Sequence, residues 1–244
     1  MTGISLDGER AKQTLPFERW TSVLNAPVHP DLVIFDCDGV LVDSEPISSR
    51  VMAGAISEAG LPMTTEEVSA AFEGMRLDDI AAEVEKRLGK KLPAGWVVAF
   101  EERRAAEFRK GVQAVPGVAE ALASIDAAKI RVCVASQASR EKVELTLGLS
   151  GLIGHFEATS LFSSRMVERG KPHPDLFLLA ARSMKCSPAG CIVVEDGVLG
   201  ARAGRLAGMD VLGYAPDGRG ERLAQEGART FESMTELPAL LGLG

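Results

Sequence analysis

The chain has 244 residues, with 27 basic and 34 acidic side chains and a formal net charge of −7. Its length and its hydrophobic content of 46% allow a sizeable core without disulfides or metals, and its acidic balance argues against nucleic acids and anionic membranes as partners, because both reward a basic surface. No charge-free stretch approaches the roughly 20 apolar residues of a membrane span, and charges stand where a secretory signal needs an apolar region, so we expect a cytoplasmic protein.

Three short apolar runs that end abruptly in polar residues mark the body of the chain. Residues 1–30 show no sustained periodicity and are expected to form an N-terminal extension. The runs are Leu32 to Phe35 before Asp-Cys-Asp-Gly, Val132 to Ala135 before a serine, and Cys191 to Val194 before Glu-Asp-Gly. Continuous runs of this length are typical of strands that are buried on both faces.

Between the first two runs, strand-like patterns disappear and amphipathic helical segments replace them. Four helices are predicted, at Ile47 to Ala59, Thr65 to Phe72, Asp78 to Leu88 and Gly95 to Lys110. The second is expected to have Thr64 or Thr65 as its N-cap. The expected divisions of the chain are an extension at 1–30, an α/β core domain at 31–45 and 112–244, and an inserted all-helical cap domain at 46–111.

The remainder of the chain alternates helical and strand-like patterns. Helices are predicted at Val118 to Ile125, Arg140 to Leu147, Pro174 to Met184 and Val198 to Ala207, with weaker strands at Ala158 to Phe162, Asp210 to Tyr214 and Thr230-Phe231. This alternation implies right-handed βαβ units and a parallel sheet. Because ligands bind beyond the carboxyl ends of such strands, the polar strand ends should meet in one crevice.

Two of these strand ends carry groups suited to a cation and an anion. Asp36 and Asp38 stand two positions apart after an extended segment, so their carboxylates can share one side and hold Mg²⁺. A turn or a helix N-cap would also explain a single aspartate there. Ser136, together with the backbone N–H groups that follow it, can bind an anion, although Ser136 or Ser139 could also be only a helix cap.

Further charged groups lie in loops and on one helix. Lys171 precedes a proline in a loop ahead of a helix, where a lysine is normally solvated. Glu195 and Asp196 follow the third buried run, and the glycines after them allow the next helix to approach the sheet closely. The basic residues between Glu101 and Lys110 alternate with glutamates and are expected on a solvated helix face. The four cysteines match no zinc or redox spacing and are expected to be buried, reduced thiols.

The combined order Asp-x-Asp, Ser, Lys-Pro and Glu-Asp resembles the haloacid dehalogenase-like hydrolase superfamily. DxDGVLVDSE, GKPxPD and VEDGxxG carry the resemblance, which runs from about Leu32 to the C-terminus. It points to the helical-cap subgroup, which includes β-phosphoglucomutases and many sugar-phosphate phosphatases. The resemblance implies a Rossmann-like, doubly wound core and a magnesium-dependent phosphatase of a small phosphorylated metabolite, a sugar or sugar-acid phosphate, acting through an aspartyl-phosphate intermediate.

The resemblance also implies roles for individual residues. Asp36 would be the nucleophile, Asp38 the general acid and base, and Ser136 and Lys171 would hold the phosphoryl oxygens. The metal ligands would be Asp36, Asp38 through its backbone carbonyl, Asp196, and Glu195 as an outer or alternate ligand. The expected substrate contacts are Ser136, Gln137, Lys171, Arg76, Glu45 and Arg140. For Arg76, a solvent-facing arginine at a helix start is an equally good explanation.

Two alternatives to a phosphatase remain at this level. In β-phosphoglucomutases a histidine stands four residues after the serine or threonine of the DSE-type motif, and here that position is Ser48, which argues against a mutase. A phosphate-responsive binding module would not need both Asp36 and Asp38.

A second departure from the family's pattern is Gly197, where many relatives have serine. We expect a monomer or a small homo-oligomer.

Overall fold

The structure is a computed structural model that describes residues 29–216, 218 and 220–243. Nearly all of the expected N-terminal extension, residues 1–28, lies outside the described residues. The strands are β1 (Leu32–Phe35), β2 (Val42–Asp43), β3 (Gln113–Ala114), β4 (Arg131–Ser136), β5 (Leu161–Ser163), β6 (Cys191–Glu195), β7 (Asp210–Tyr214) and β8 (Arg229–Phe231). The helices are α1 (Glu45–Ala59), α2 (Thr65–Phe72), α3 (Leu77–Leu88), α4 (Trp96–Phe108), α5 (Val118–Ala127), α6 (Arg140–Leu149), α7 (Asp175–Ser183), α8 (Val198–Leu206), α9 (Gly220–Gln225) and α10 (Leu237–Leu240).

Six strands form one sheet in the order β5-β4-β1-β6-β7-β8. Every neighbouring pair in it is parallel, which confirms the predicted Rossmann-like α/β core. Phe35 at the end of β1 lies opposite Val134 of β4 and Val194 of β6. The central strands therefore end at the same level, and the residues that follow them share one edge of the sheet.

Helices cover both faces of this sheet. Val33 and Phe35 of β1 belong to one buried cluster, with side chains of α5 and α6. Leu32 and Ile34 point to the other face and join a second cluster with α7 and α8. Because both faces of β1 are buried, the strand is a continuous apolar run in the sequence instead of an alternating one.

The helices α1 to α4 lie between β2 and β3 and have a hydrophobic cluster of their own. The four helices occupy the predicted segments, whereas their status as a separate cap domain stays a prediction. The chain enters and leaves them through an antiparallel pair, in which Val42 lies opposite Ala114 and Asp43 opposite Gln113. The sequence did not indicate this pair, because strands of two residues are too short to show a period.

Three other expectations can be compared with the structure. The strand predicted at Ala158 to Phe162 is partly wrong, because a 3-10 turn occupies Ala158–Ser160 and the strand covers Leu161–Ser163. All four cysteines are free, and Cys186 alone among them is not fully buried. In the part of the chain that the structure describes, every helix is too short or too polar to cross a membrane.

Candidate active site

The carboxyl edge of the sheet gathers four of the side chains singled out in the sequence. Asp36 follows β1, and its backbone N–H donates to the carbonyl of Val194 at 2.9 Å. Ser136 and Glu195 are the last residues of β4 and β6. Lys171 reaches the same place from the loop before α7. All four side chains line a single cleft.

The ammonium of Lys171 is the centre of this cluster. Its Nζ lies 2.5 Å from Asp36 Oδ1 and 2.5 Å from Glu195 Oε1, and 5.1 Å from the centre of the Phe177 ring. Burial alone would lower the pKa of Lys171, but the charges and hydrogen bonds of Asp36 and Glu195 outweigh it and raise that pKa. Lys171 therefore stays a cation throughout the physiological pH range.

Glu195 is held by partners on both of its oxygens. Oε1 accepts from Lys171, while Oε2 accepts the backbone N–H groups of Asp196 and Gly197, each at 3.0 Å. Burial and the charge of Asp36 raise the pKa of Glu195 against the opposing effect of Lys171. Gly197 thus supplies its backbone donor although it lacks the serine hydroxyl of many relatives.

Two glycines allow the backbone to approach these carboxylates. Gly39 has a φ of +76°, and a Cβ there would lie 2.0 Å from Asp196 Oδ2. A Cβ on Gly200 of α8 would lie 1.7 Å from Glu195 Oε1. Any larger residue at either position would have to displace a carboxylate.

A trio of carboxylates in this cleft has the chemistry of a metal site. Asp36, Glu195 and Asp196 each place one oxygen within 4.8 Å of the others. Burial, followed by the charges of Glu195, Asp36 and Glu45, raises the pKa of Asp196 well above its usual range. Clustered, hard oxygen donors of like charge fit Mg²⁺, which would relieve their repulsion.

Asp38, the second predicted aspartate, faces a different set of partners. Its Oδ1 accepts from the hydroxyl of Ser44 and from the ammonium of Lys142. Lys142 lies on α6 and is buried, with its Nζ 5.4 Å from the centre of the Phe108 ring. Burial lowers the pKa of Lys142 despite the nearby Cys37 and Asp36. Lys142 belongs to none of the motifs that point to the site in the sequence.

The cleft, with a volume of about 190 Å³, brings together most of the predicted site residues. Those in its wall are Asp36, Asp38, Glu45, Ser136, Gln137, Lys171, Glu195 and Asp196. Its opposite wall comes from α1 to α4, including Ser48, Met52, Val68, Phe72, Phe100, Glu101 and Arg104. The helices between β2 and β3 therefore cover the polar edge of the sheet.

Ser136 and Ser139 have separate tasks at the end of β4. The hydroxyl of Ser136 accepts the N–H of Ala138 at 3.1 Å, whereas Ser139 is the N-cap of α6 and accepts the N–H of Lys142 at 3.4 Å. Both serines lie in the wall of the cleft. The helix cap is thus Ser139, and Ser136 stands at the strand end in the same cleft as Lys171 and Asp36.

Gln137 connects the two walls of the cleft. Its Nε2 donates to the carbonyls of Gly74 and Lys171, each at 3.2 Å, and its Oε1 accepts the N–H of Lys171 at 3.1 Å. Gly74 belongs to the turn between α2 and α3. The amide of Gln137 therefore joins that turn to the Lys171 loop. Its contact with substrate stays a prediction.

Two arginines predicted to contact substrate do not line the cleft. Arg76 reaches across the Lys171 loop and donates to the carbonyl of Glu168 at 3.3 Å. Arg140 pairs with Glu144 at 2.8 Å and donates to the carbonyl of Ala158 at 2.6 Å. Substrate binding by Arg76 or Arg140 stays a prediction, and the positions of the two side chains do not favour it.

The expectation that the basic residues between Glu101 and Lys110 face solvent is wrong for Arg104. Its side chain is only 13% exposed, lines the cleft and packs over the rings of Phe100 and Phe108, at 4.9 and 5.9 Å. Burial lowers its pKa against the charges of Glu101 and Glu45. The phenylalanines four residues before and after it were the available signal, since they place Arg104 on the apolar face of α4.

Comparisons with known proteins agree with this geometry. A family model described as haloacid dehalogenase-like hydrolase matches residues 30–208. A 6-phosphogluconate phosphatase of Escherichia coli (strain K12) is 33% identical over 86% of this chain and 94% of its own length. A HAD family hydrolase from Deinococcus radiodurans R1, solved with bound phosphate and sodium, is 34% identical with a TM-score of 0.69 over 88% of this chain and 98% of that one. A putative beta-phosphoglucomutase from Thermotoga maritima is 25% identical with a TM-score of 0.68, over 86% and 98%.

Proposed function

Because this chain belongs to the haloacid dehalogenase-like hydrolases and is a phosphoric monoester hydrolase, we propose that it acts with Mg²⁺ on a sugar or sugar-acid phosphate through an aspartyl-phosphate intermediate. The observation that carries the proposal is the buried Lys171 ammonium, 2.5 Å from both Asp36 and Glu195. Without a cation there, Asp36 would approach an anionic phosphate among like charges. Lys171 supplies that cation and a donor for the equatorial phosphoryl oxygens.

In the first step, a carboxylate oxygen of Asp36 forms a bond to phosphorus while the bond from phosphorus to the substrate oxygen breaks. Asp38, protonated, gives its proton to the departing alkoxide, so the product leaves as an alcohol. Ser136 and Lys171 bind phosphoryl oxygens during the transfer. Asp36, Asp196 and the backbone carbonyl of Asp38 would hold Mg²⁺, with Glu195 as an outer or alternate ligand, and the ion would supply positive charge for those oxygens.

In the second step, the carboxylate of Asp38 removes a proton from water as the water oxygen attacks phosphorus. The bond between phosphorus and Asp36 breaks, inorganic phosphate forms, and Asp38 is protonated again for the next cycle. Glu195 orients the loop because its Oε2 holds the N–H groups of Asp196 and Gly197. The wall formed by α1 to α4 would limit how much water enters.

A phosphatase fits this cleft better than a mutase. Ser48, at the position where β-phosphoglucomutases have histidine, lies in the cleft wall. A serine has no titratable group for general-base control, so this chain lacks the element that couples a mutase cap to chemistry. Water should therefore reach the aspartyl phosphate.

Charged residues of α1 and α4 in the cleft support a hydroxyl-rich, acidic leaving group. Glu45 of α1 and Glu101 and Arg104 of α4 all line the cleft. Carboxylates accept hydrogen bonds from sugar hydroxyls, and a partly buried guanidinium can donate two to a substrate carboxylate. The similarity to a 6-phosphogluconate phosphatase supports the same class of substrate.

The test is steady-state hydrolysis of a panel of sugar, polyol and sugar-acid phosphates, with and without Mg²⁺. We expect magnesium-dependent release of phosphate, its loss in Asp36→Asn, and a higher kcat/KM for sugar-acid phosphates than for neutral sugar phosphates. In Arg104→Met that preference should disappear, because the KM for sugar-acid phosphates rises. Release without Mg²⁺, or undiminished turnover in Asp36→Asn, would contradict the proposal. Conversion of glucose 1-phosphate with a bisphosphate activator would favour the mutase.

A further inference from the structure

Lys142 is a buried lysine in the wall of the cleft. Its side chain is 6% exposed, and its ammonium donates to Asp38 Oδ1 and to Ser44 Oγ, the latter at 3.4 Å. Ser44 donates to the same oxygen of Asp38. Asp38 and Ser44 are neighbours in sequence, whereas Lys142 lies about 100 positions later, and the three side chains form one closed set of hydrogen bonds.

Burying a lysine is unfavourable unless a partner compensates for its lost hydration. The ring of Phe108, whose centre lies 5.4 Å from the ammonium, offers only a weak attraction to a buried charge. The partner that faces the ammonium is the carboxylate of Asp38, which is 21% exposed. The ammonium of Lys142 therefore faces Asp38, the residue proposed as general acid and base.

The two aspartates of the Asp-x-Asp motif have different lysines. Lys171 pairs with Asp36 and Glu195, and Lys142 pairs with Asp38. Both lysines and both aspartates line the same cleft. This division keeps the carboxylate of Asp38 away from the cation that serves Asp36, so each aspartate is oriented separately.

We propose that Lys142 is the positioning residue of Asp38: with Ser44 it fixes the carboxylate in the orientation that delivers a proton to the leaving oxygen and later accepts one from water. This inference rests on the proposed phosphatase function. It assigns Lys142 no contact with phosphorus or with the transferring oxygens. Its effect should therefore depend on how much help the leaving group needs from an acid.

The test uses two substrates that differ in leaving group, an alkyl phosphate and 2,4-dinitrophenyl phosphate, with the variant Lys142→Met. An alkoxide must be protonated as it leaves, whereas dinitrophenolate leaves without help. We expect kcat/KM for the alkyl ester to fall by about 100-fold and that for the dinitrophenyl ester by less than about 5-fold. A burst of dinitrophenolate should also appear, because Asp38 no longer activates water well and the aspartyl phosphate accumulates.

The ratio of the two kcat/KM values is measured in one preparation, so a partly misfolded variant does not change it. Thr146→Val, at a buried position one turn along α6, is the matched control and should leave the ratio unchanged. In an Asp38→Asn background, Lys142→Met should cause no further change in the ratio. An equal loss on both esters would overturn the positioning role alone. A wild-type protein that hydrolyses neither ester would overturn the proposed function as well.

Discussion

Single residues decide how the carboxylates of the cleft are held. Gly200 lies in the first turns of α8, where the helix passes directly over Glu195. That carboxylate already binds Lys171 and two backbone N–H groups, so it has no alternative position that keeps these partners. The glycine is therefore a requirement of the site and not of the helix.

Replacing Gly200 with alanine should damage activity although alanine is the better helix former. Its Cβ would meet Glu195 Oε1 at 1.7 Å, which would push the carboxylate away from Lys171. We expect kcat/KM to fall by about tenfold or more, equivalent to about 1.4 kcal/mol of transition-state stabilisation, and the unfolding free energy to fall as well. Phosphatase kinetics and urea unfolding measure the two effects.

Gly54→Ala is the matched control, because Gly54 lies inside α1 and a Cβ there would meet only Arg103 Nη2, at 3.9 Å. Helix propensity then acts alone and should stabilise the protein by up to about 1 kcal/mol with unchanged kcat. Similar behaviour of the two alanine variants would show that α8 can move away from Glu195.

Site residues that belong to a local motif could be found from the sequence. A residue whose partner is distant along the chain could not. Asp36, Lys171 and Asp196 belong to local motifs and could be identified from them. Lys142 donates to Asp38, 104 positions away, and its local signal was a charge among the buried Val143, Thr146 and Leu147 of α6.

Arg140 shows the converse at the residue scale. Glu144, four positions later, offered it a local ion pair on the exposed side of α6. That pairing was readable from the sequence and is what the structure contains. A local partner is thus evidence against a role in a distant site.

Among the elements, α2 depends on its first turn more than the longer helices do. It has only eight residues, and Val68 and Phe72 on its buried face line the cleft. Thr64 accepts the N–H of Glu67 at 3.1 Å, and Glu67 accepts the N–H of Thr64 at 2.8 Å. This capping box resolves the choice between Thr64 and Thr65 that the sequence left open.

Thr64→Ala should therefore destabilise the protein by about 1 kcal/mol, because the N–H of Glu67 loses its partner. Urea unfolding measures this loss. Thr65→Ala, one position later and inside the helix, is the control and should change the unfolding free energy by less than about 0.5 kcal/mol. Equal effects of the two variants would mean that the capping box contributes nothing in solution.

The elements that could be predicted are those with a sustained pattern. The buried runs of β1, β4 and β6 and the amphipathic helices were placed within a few residues. β2 and β3 were missed, since each contributes two residues and their pairing joins segments about 70 positions apart. The Ala158–Ser160 turn replaced a predicted strand start because Ser160 closes a hydrogen-bonded turn onto Glu157.

At the scale of the whole molecule, several polar contacts join the α1 to α4 layer to the sheet layer. Arg165 pairs with Glu101 at 3.1 Å and Arg222 with Glu73 at 3.7 Å, in addition to the bonds of Gln137. Arg165 follows β5 and pairs with a residue of α4, whereas Arg222 lies on α9 and pairs with the residue that follows α2. No sequence pattern relates such partners, because their approach depends on the completed fold.

The net charge of −7 has a local counterpart in the cleft, where acidic side chains outnumber the cations beside them. Burial and mutual repulsion raise the pKa values of Glu195 and Asp196. A carboxyl whose pKa is raised in the folded state binds protons more tightly there than in the unfolded chain. The fold should therefore lose stability as pH rises from the ordinary carboxyl range through these raised pKa values.

Magnesium should reverse this loss, because it binds the folded trio of carboxylates and competes with protons for them. At a Mg²⁺ concentration of 100 times Kd, binding would stabilise the fold by about 2.7 kcal/mol, and the gain in Tm over a chelated sample should be larger at pH 8 than at pH 6. Asp196→Asn removes one of the like charges, so without metal it should be more stable than wild type at pH 8 and should respond little to Mg²⁺. Differential scanning calorimetry at the two pH values measures both effects, and a Tm gain in Asp196→Asn equal to that of wild type would place the stabilising cation elsewhere.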